Sequence, residues 1–376
     1  MKYYFKNKDV VLAILSYDNE KFIIDKLLYD ISSFVVLHFL SNDEKLNLWL
    51  RERQSSFGRV NMFDLFKLSY INSVLDFVLK TKCLSLNDTF WICSEDDNLI
   101  WNDVSLFKND FDATATNIAW GTYSLDLIVR GFSPEFSTKG VSMKCWQRID
   151  SNIYLLKSKG GLAELEYSNV YSEYFASQLA EFLGFNHATY TLRKKSGVLA
   201  SCSKLFTSEL VGFVSMSELF GGSNCGDIYS DIKCLSSLPN SSKILYDYRC
   251  MLLLDSLTHN SDRHNENYGL LFNTDTFEII GLAPIFDNDN SLFNSISLCN
   301  KSRDQIKEKV NIIYPKTYSG TFIQQGKHCL TKDLYERVKL VSTDFNFKNS
   351  SEFPLIQKRV DILSSLVRMS AKSIIK

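Results

Sequence analysis

The chain has 376 residues, more than one ordinary folding unit needs, so two or three are expected. Its 45% apolar and 23% charged residues, with 27 Phe, 18 Tyr and 5 Trp, fit packed cores and exclude extended disorder. A net charge of −1 gives no bulk attraction for nucleic acid or an anionic membrane.

The nine cysteines include no C-x-x-C pair, which argues against zinc or redox chemistry and for reduced thiols in a reducing compartment. Among five histidines only His259 and His264 are spaced like ligands, and no cysteine pair completes a site for them. The N-terminal stretch lacks the pattern of a signal peptide, and the run Val10 to Leu15 is far too short to span a bilayer. A cytoplasmic protein is expected, with secretion by a signal-independent route left open.

In chain order, Lys2–Phe5 and Val10–Ser16 read as strands around the polar turn Asn7-Lys8-Asp9. Lys21–Leu27 and Phe34–Leu40 follow as further strands. Ser41 and Glu44 form a capping-box pattern that opens a helix through about Arg53. Apolar residues near helical spacing from Met62 to about Lys80 predict a second helix. Leu84–Phe111 is mixed and polar, and an Asn/Asp-rich stretch suggests a boundary near residue 115.

From Thr116 to Phe213 the pattern is strand-like with one helix. Gly131–Lys144 reads as a loop, Ser151–Lys157 as a short strand ended by Gly160-Gly161, and Asn169–Leu183 as an amphipathic helix stopped by Gly184. Ala188–Arg193 and Val198–Phe206 are expected strands, and Gly221–Gly226 a linker. Beyond it the chain turns helical: Ile244–His259, Ile306–Ile312 and Leu355–Ile375 are expected helices. Tyr268–Phe272 and Phe277–Ile280 form a hairpin around Asn273–Thr276. The expected architecture is α+β and bilobal. Residues 1–115 form an extra N-terminal α+β segment, 116–220 a β-rich lobe and 221–376 a mainly helical lobe.

The chemically informative segment runs from His259 to Gly269, directly after a long apolar helix and before the hairpin. Asp262 and Asn267 have the D-x-x-x-x-N spacing of a kinase catalytic loop. After the hairpin, Ala283-Pro284-Ile285-Phe286-Asp287 places Asp287 where a metal-binding aspartate follows such loops. The residue types suit phosphoryl transfer. An Asp carboxylate can orient an acceptor hydroxyl and take its proton, while an Asn carbonyl and an Asp carboxylate offer hard oxygens to Mg²⁺. His264 could stabilise developing charge or only hold the loop. The bland alternative, a polar surface loop, does not explain the second aspartate beyond the strand pair.

Upstream, Lys157 ends a strand and Glu173 sits early in the next helix, a combination that could grip the phosphates of ATP. Taken alone, each would read as a solvated surface charge. Ser137-Thr138-Lys139-Gly140-Val141-Ser142-Met143-Lys144 lies where a phosphate-covering loop belongs, although it is neither G-x-G-x-x-G nor a Walker A sequence.

These residues resemble the HipA-like bacterial serine/threonine kinases, whose fold is related to phosphoinositide 3/4-kinases. The resemblance rests on Asn260-x-Asp262-x-His264-x-x-Asn267, Ala283-Pro284-x-Phe286-Asp287, Ser137-x-x-Gly140-x-x-x-Lys144 and Lys157, over roughly residues 130–300. It implies Asp262 as catalytic base, Asn267 and Asp287 as Mg²⁺ ligands, and Lys157 as the ATP-phosphate contact. It further implies a phosphate loop with Gly140, Ser142 and Lys144, and autophosphorylation at Ser137, Thr138 or Ser142. A protein substrate is implied, and an antitoxin-type protein partner is common in that family. The family's N-terminal small barrel is matched here only by a loose strand pattern, and residues 40–115 by nothing obvious. A lipid kinase, a small-molecule phosphotransferase and an ATP-binding pseudokinase are the competing readings. A lipid kinase would want a basic membrane-facing surface, and Lys301–Lys309 reads as a solvated helix face. No helix-turn-helix signal or basic stripe supports DNA binding.

Overall fold

The computed structural model describes residues 1–122, 128–159, 165, 167–220 and 226–376. The expected stop at Gly160-Gly161, the expected linker Gly221–Gly226 except its last residue, and Cys225 lie outside the described residues. The chain divides into two compact units. The first comprises Met1–Lys157, Leu205–Val214 and Leu271–Ile280; the second comprises Ser158–Lys204, Ser215–Leu270 and Gly281–Lys376.

The first unit opens with strands β1 (Lys2–Asn7), β2 (Val10–Asp18) and β3 (Lys21–Leu27). Lys8 takes the positive φ that a two-residue hairpin turn requires. Phe34–Leu40, expected as a strand, instead forms a 3₁₀ helix, Val35–Ser41. Its buried Leu37 and Leu40 lie one above the other with Val36 beside them, and a short apolar run does not distinguish that pattern from a buried strand. That turn consumes Ser41, so the expected capping box does not form. Helix α1 (Asp43–Arg53) is capped by Asn42, whose side chain accepts from the Lys45 amide at 2.9 Å.

The single helix expected over 62–80 is two, α2 (Met62–Leu68) and α3 (Val74–Thr81). Tyr70 adopts a left-handed φ of 56°, which breaks the hydrogen-bond ladder, and Ser73 caps the second helix. Strand β4 (Phe90–Ser94) and the helices α4 (Trp101–Val104) and α5 (Ala113–Trp120) follow. A 3₁₀ turn (Pro134–Ser137) then leads into β5 (Met143–Ile149) and β6 (Asn152–Ser158).

The later elements begin with α6 (Ser168–Leu183), ended as expected by Gly184 in the left-handed region at φ 66°. Strands β7 (Tyr190–Lys195), β8 (Val198–Lys204) and β9 (Val211–Ser215) come next, then α7 (Met216–Phe220), α8 (Ile228–Ser236) and α9 (Ser241–Thr258). The hairpin strands β10 (Gly269–Asn273) and β11 (Ile279–Leu282) precede α10 (Arg303–Val310), α11 (Phe322–Cys329), α12 (Lys332–Asp344) and α13 (Gln357–Ile374).

In the first unit β3-β2-β1-β4 form an antiparallel sheet, with Tyr3 opposite both Leu15 and Ser94. Phe5, Phe39, Trp49 and Phe90 pack against one another, and Phe39 stacks on Trp49 with centroids 4.5 Å apart. A separate core gathers Leu84, Trp91, Trp101, Val104 and Ile153. Strand β10 lies between β11 and β9. In the second unit β7 and β8 form a hairpin, α11 packs on α9, and α12 packs on α13. The eight described cysteines are free thiols, and burial pushes Cys83, Cys250 and Cys329 up to about 12. Among the described residues no helix is long and apolar enough to cross a membrane.

Candidate active site

Helix α9 is buried along its second half, and its last residue passes to His259, which caps it at φ 56°. The loop then turns on its own polar groups. The Asn260 amide donates to the Asp255 carbonyl at 3.0 Å, and the Asp262 amide donates to the Asn260 side-chain oxygen at 3.1 Å. The Asn267 amide donates to the His264 carbonyl at 2.8 Å, and Asn267 Nδ2 donates to the Asp262 carbonyl at 3.2 Å. Both oxygens of the Asp262 carboxylate are engaged: Asn290 Nδ2 donates to Oδ2 at 2.8 Å, and the Lys316 ammonium pairs with Oδ1.

Arg263 organises the surroundings. Its guanidinium is 1% exposed and grips the Asp255 carboxylate through Nε and Nη2, each at 2.9 Å. Nη1 donates to the Asn267 carbonyl at 3.0 Å and the Phe286 carbonyl at 2.7 Å, while Nη2 also reaches Asn288 Oδ1 at 2.7 Å. All five donor positions of the fork are thereby used. Burial would depress the guanidinium's proton affinity, but the Asp255 carboxylate, with Asp287 contributing, holds it above its ordinary value. One buried arginine therefore brings the Asp262–Asn267 loop and the segment before Asp287 to the same nitrogen. Asp287 itself has φ 56°, and its amide donates to the Tyr190 hydroxyl at 3.2 Å. Isoleucine 285, two residues earlier, exchanges backbone hydrogen bonds with Asn186 and Ala188, both at 2.9 Å.

Loop 134–144, in the first unit, has its own buried arginine. Arg59 donates to the Glu135 carboxylate at 2.7 Å, the Lys144 carbonyl at 2.6 Å, and the carbonyls of Glu135 and Thr138, each at 3.1 Å. Ser55 adds hydrogen bonds to the same two carbonyls. Burial pushes the Glu135 carboxyl up, against the pull of Arg59. Gly140 sits at φ 92°, and a Cβ there would strike the Lys144 ammonium, which donates to the Lys139 carbonyl at 2.7 Å.

No protein-family model matches the chain, and no curated protein matches it by sequence. Solved structures do match, and two of them are informative. The HipA of a Shewanella oneidensis toxin–antitoxin system, solved with HipB and operator DNA, covers 98% of this chain and 96% of its own at TM-score 0.59 and 12% identity. The Helicobacter pylori proinflammatory kinase CtkA covers 65% of this chain and 92% of its own at TM-score 0.50 and 18% identity. The fold is that of the HipA-like kinases.

Within the HipA-like fold, the expected site residues fall into three groups. Asp262, Asn267 and Asp287 are gathered around Arg263 in the second unit, with half-buried His264 between the first two. Gly140, Ser142 and Lys144, with Ser137 and Thr138, belong to the loop fastened by Arg59. Lys157 is the penultimate residue of β6, and Glu173 lies in α6; both are buried, and the Ser201 hydroxyl donates to the Glu173 carboxylate. Ser137 donates its hydroxyl to the Leu84 carbonyl at 2.9 Å, and Thr138 donates to the Pro134 carbonyl at 2.7 Å.

Sequence reading missed Arg263, Asp255, Asn288, Asn290, Lys316, Arg59 and Glu135 as organisers. The polar run after Phe286 carried a signal for Asn288 and Asn290; nothing local marked Arg59 or Lys316. Among the described residues, no three or more His, Cys, Asp or Glu side chains are grouped to hold a metal. An amide oxygen from Asn267 and a carboxylate from Asp287 would be the kind of donors Mg²⁺ accepts, since it uses one or two protein oxygens and completes its shell with water and phosphate. With Nδ2 turned to the Asp262 carbonyl, Asn267 has a hard amide oxygen to offer.

Proposed function

We propose that this protein is an ATP- and Mg²⁺-dependent serine/threonine protein kinase that also phosphorylates itself. The observation that carries the reading is the convergence on Arg263 of the Asp262–Asn267 loop and the Phe286–Asp287 segment. The fold shared with HipA and CtkA supports it.

Asp262 orients the acceptor hydroxyl and accepts its proton as the oxygen attacks the γ-phosphorus, while the bond to the ADP oxygen breaks. Asn267 and Asp287 would hold Mg²⁺, which neutralises phosphate charge when bound. Lys157, supported by Glu173, and loop residues Gly140, Ser142 and Lys144 bind the nucleotide phosphates. The His264 carbonyl holds the loop by accepting from the Asn267 amide, and its side chain would either stabilise developing charge or only support the loop. Ser137, Thr138 and Ser142 are the autophosphorylation candidates. Ser137 and Thr138 donate their hydroxyls to the Leu84 and Pro134 carbonyls, so modification there requires those hydrogen bonds to break first. A protein substrate and an antitoxin-type protein are the proposed partners, acting in the cytoplasm without direct nucleic-acid binding.

The test is ATP-dependent phosphate incorporation with Mg²⁺, by wild type beside Asp262→Ala and Asp287→Ala, with mass-spectrometric site mapping. Incorporation on the 137–142 segment that both variants lose supports the reading. ATP binding without incorporation redirects it to a lipid or small-molecule acceptor, or to a pseudokinase. No ATP binding overturns it.

A further inference from the structure

Asp262 is held from two sides, by the Asn290 amide and the Lys316 ammonium. The lysine belongs to the irregular segment 311–321 between α10 and α11, and no kinase-loop spacing points to it. Its side chain is 55% exposed and that of Asp262 34% exposed, so the ion pair adds little to stability. Yet the backbone beneath it is firmly built. Thr317 is 1% exposed; its carbonyl accepts from the Ile228 amide at 2.8 Å, and its hydroxyl donates to Gln325 Oε1 at 3.0 Å. Gln325, fully buried, donates to the Leu252 carbonyl at 3.0 Å and to the Ser256 hydroxyl at 3.1 Å on α9. Helix α9 is also the element that delivers Asp255 and the catalytic loop. Lysine and base thus hang from one helix by two separate routes.

The loop's own arginine cannot serve the base, since its five donors go to Asp255, Asn267, Phe286 and Asn288. We propose that Lys316 is a positioning residue for phosphoryl transfer, fixing the Asp262 carboxylate with Asn290 so that its remaining lone pairs face the acceptor hydroxyl. The inference rests on the kinase reading of this site. Each carboxylate oxygen has two lone-pair directions, so Lys316 and the acceptor bind Asp262 together. Lysine and asparagine constrain rotation about the Cβ–Cγ bond, and a base that is misoriented contributes less to the rate.

The experiment is steady-state phosphotransfer, or ADP release, by the full chain with Lys316→Met, Lys316→Arg and Asp262→Asn. Lys316→Met is expected to lower kcat about tenfold to a hundredfold. Its KM for ATP and its thermal midpoint should stay near wild type, and Lys316→Arg should restore most of the rate. Unchanged kcat in Lys316→Met, no rescue by arginine, or a loss of several degrees in midpoint would overturn the proposal. Failure of the underlying reading looks different: Asp262→Asn would then turn over like wild type, or wild type would not turn over at all.

Discussion

Two buried arginines fasten two loops, and they do it differently. Arg263 pairs with Asp255, eight residues away at the end of α9, and every donor of its fork is satisfied. Arg59 pairs with Glu135, seventy-six residues away, and its Nε has no partner. The Asp262–Asn267 loop is therefore stapled locally to the helix that precedes it, with a complete hydrogen-bond set. The loop around Gly140 is held by a distant side chain with an incomplete one. A buried donor left unsatisfied costs free energy, so the second arrangement is the cheaper to open. Local unfolding is expected to reach the 134–144 segment more readily than the Asp262–Asn267 loop.

Removing each arginine separates the two cases. Arg263→Met leaves the Asp255 carboxylate buried without its partner and should cost about 3–5 kcal/mol, together with all phosphotransfer. Urea denaturation checks the first effect; a midpoint near wild type would break the comparison. Arg59→Met should cost less, roughly 2 kcal/mol, because Glu135 can take up a proton. Its carboxyl is already pushed up by burial, so the folded form binds protons more readily than the unfolded chain. The penalty should then shrink as pH falls through the folded value. A penalty that does not shrink on acidification would show that Glu135 stays charged.

The segment around His259 should respond to pH in the opposite sense. Burial between Phe293 and Phe322 lowers His259 from 6.5 to about 4, so it is folded in the neutral form. Below 6.5 the unfolded chain binds the extra proton, and stability declines as pH falls from 6.5 through about 4. The contribution lost is on the order of 3 kcal/mol. His259→Asn, which tolerates the same left-handed cap, should flatten that limb of the stability curve, measured by denaturant midpoints across pH. Gly140→Ala should cost about 1 kcal/mol, because its positive φ is strained for alanine while the Lys144 ammonium it displaces is the far end of a flexible side chain. A rise in KM for ATP should accompany it.

What the sequence shows and hides follows the same division. Features encoded within a few residues are legible: the β1–β2 turn, α6 with its Gly184 stop, α9, the β10–β11 hairpin, and the motif from Asp262 to Asn267. Contacts made at long range are not. Glu135 finds Arg59 and Asp262 finds Lys316 only once the intervening chain has folded. The return of 205–214 and 271–280 to the first unit likewise has no local signature. Errors of element type came where one signal served two structures. The apolar run 34–40 fits either a buried strand or a 3₁₀ face, and residues 62–80 keep near-helical apolar spacing through a break at Tyr70.

The most direct test of the account is calorimetric titration of a non-hydrolysable ATP analogue, with and without Mg²⁺, into wild type, Asn267→Ala and Asp287→Ala. The account predicts Mg²⁺-enhanced binding in wild type. Both variants should lose the enhancement while retaining the metal-free affinity. Equal binding with and without Mg²⁺ in wild type, or an enhancement that survives both substitutions, would contradict it.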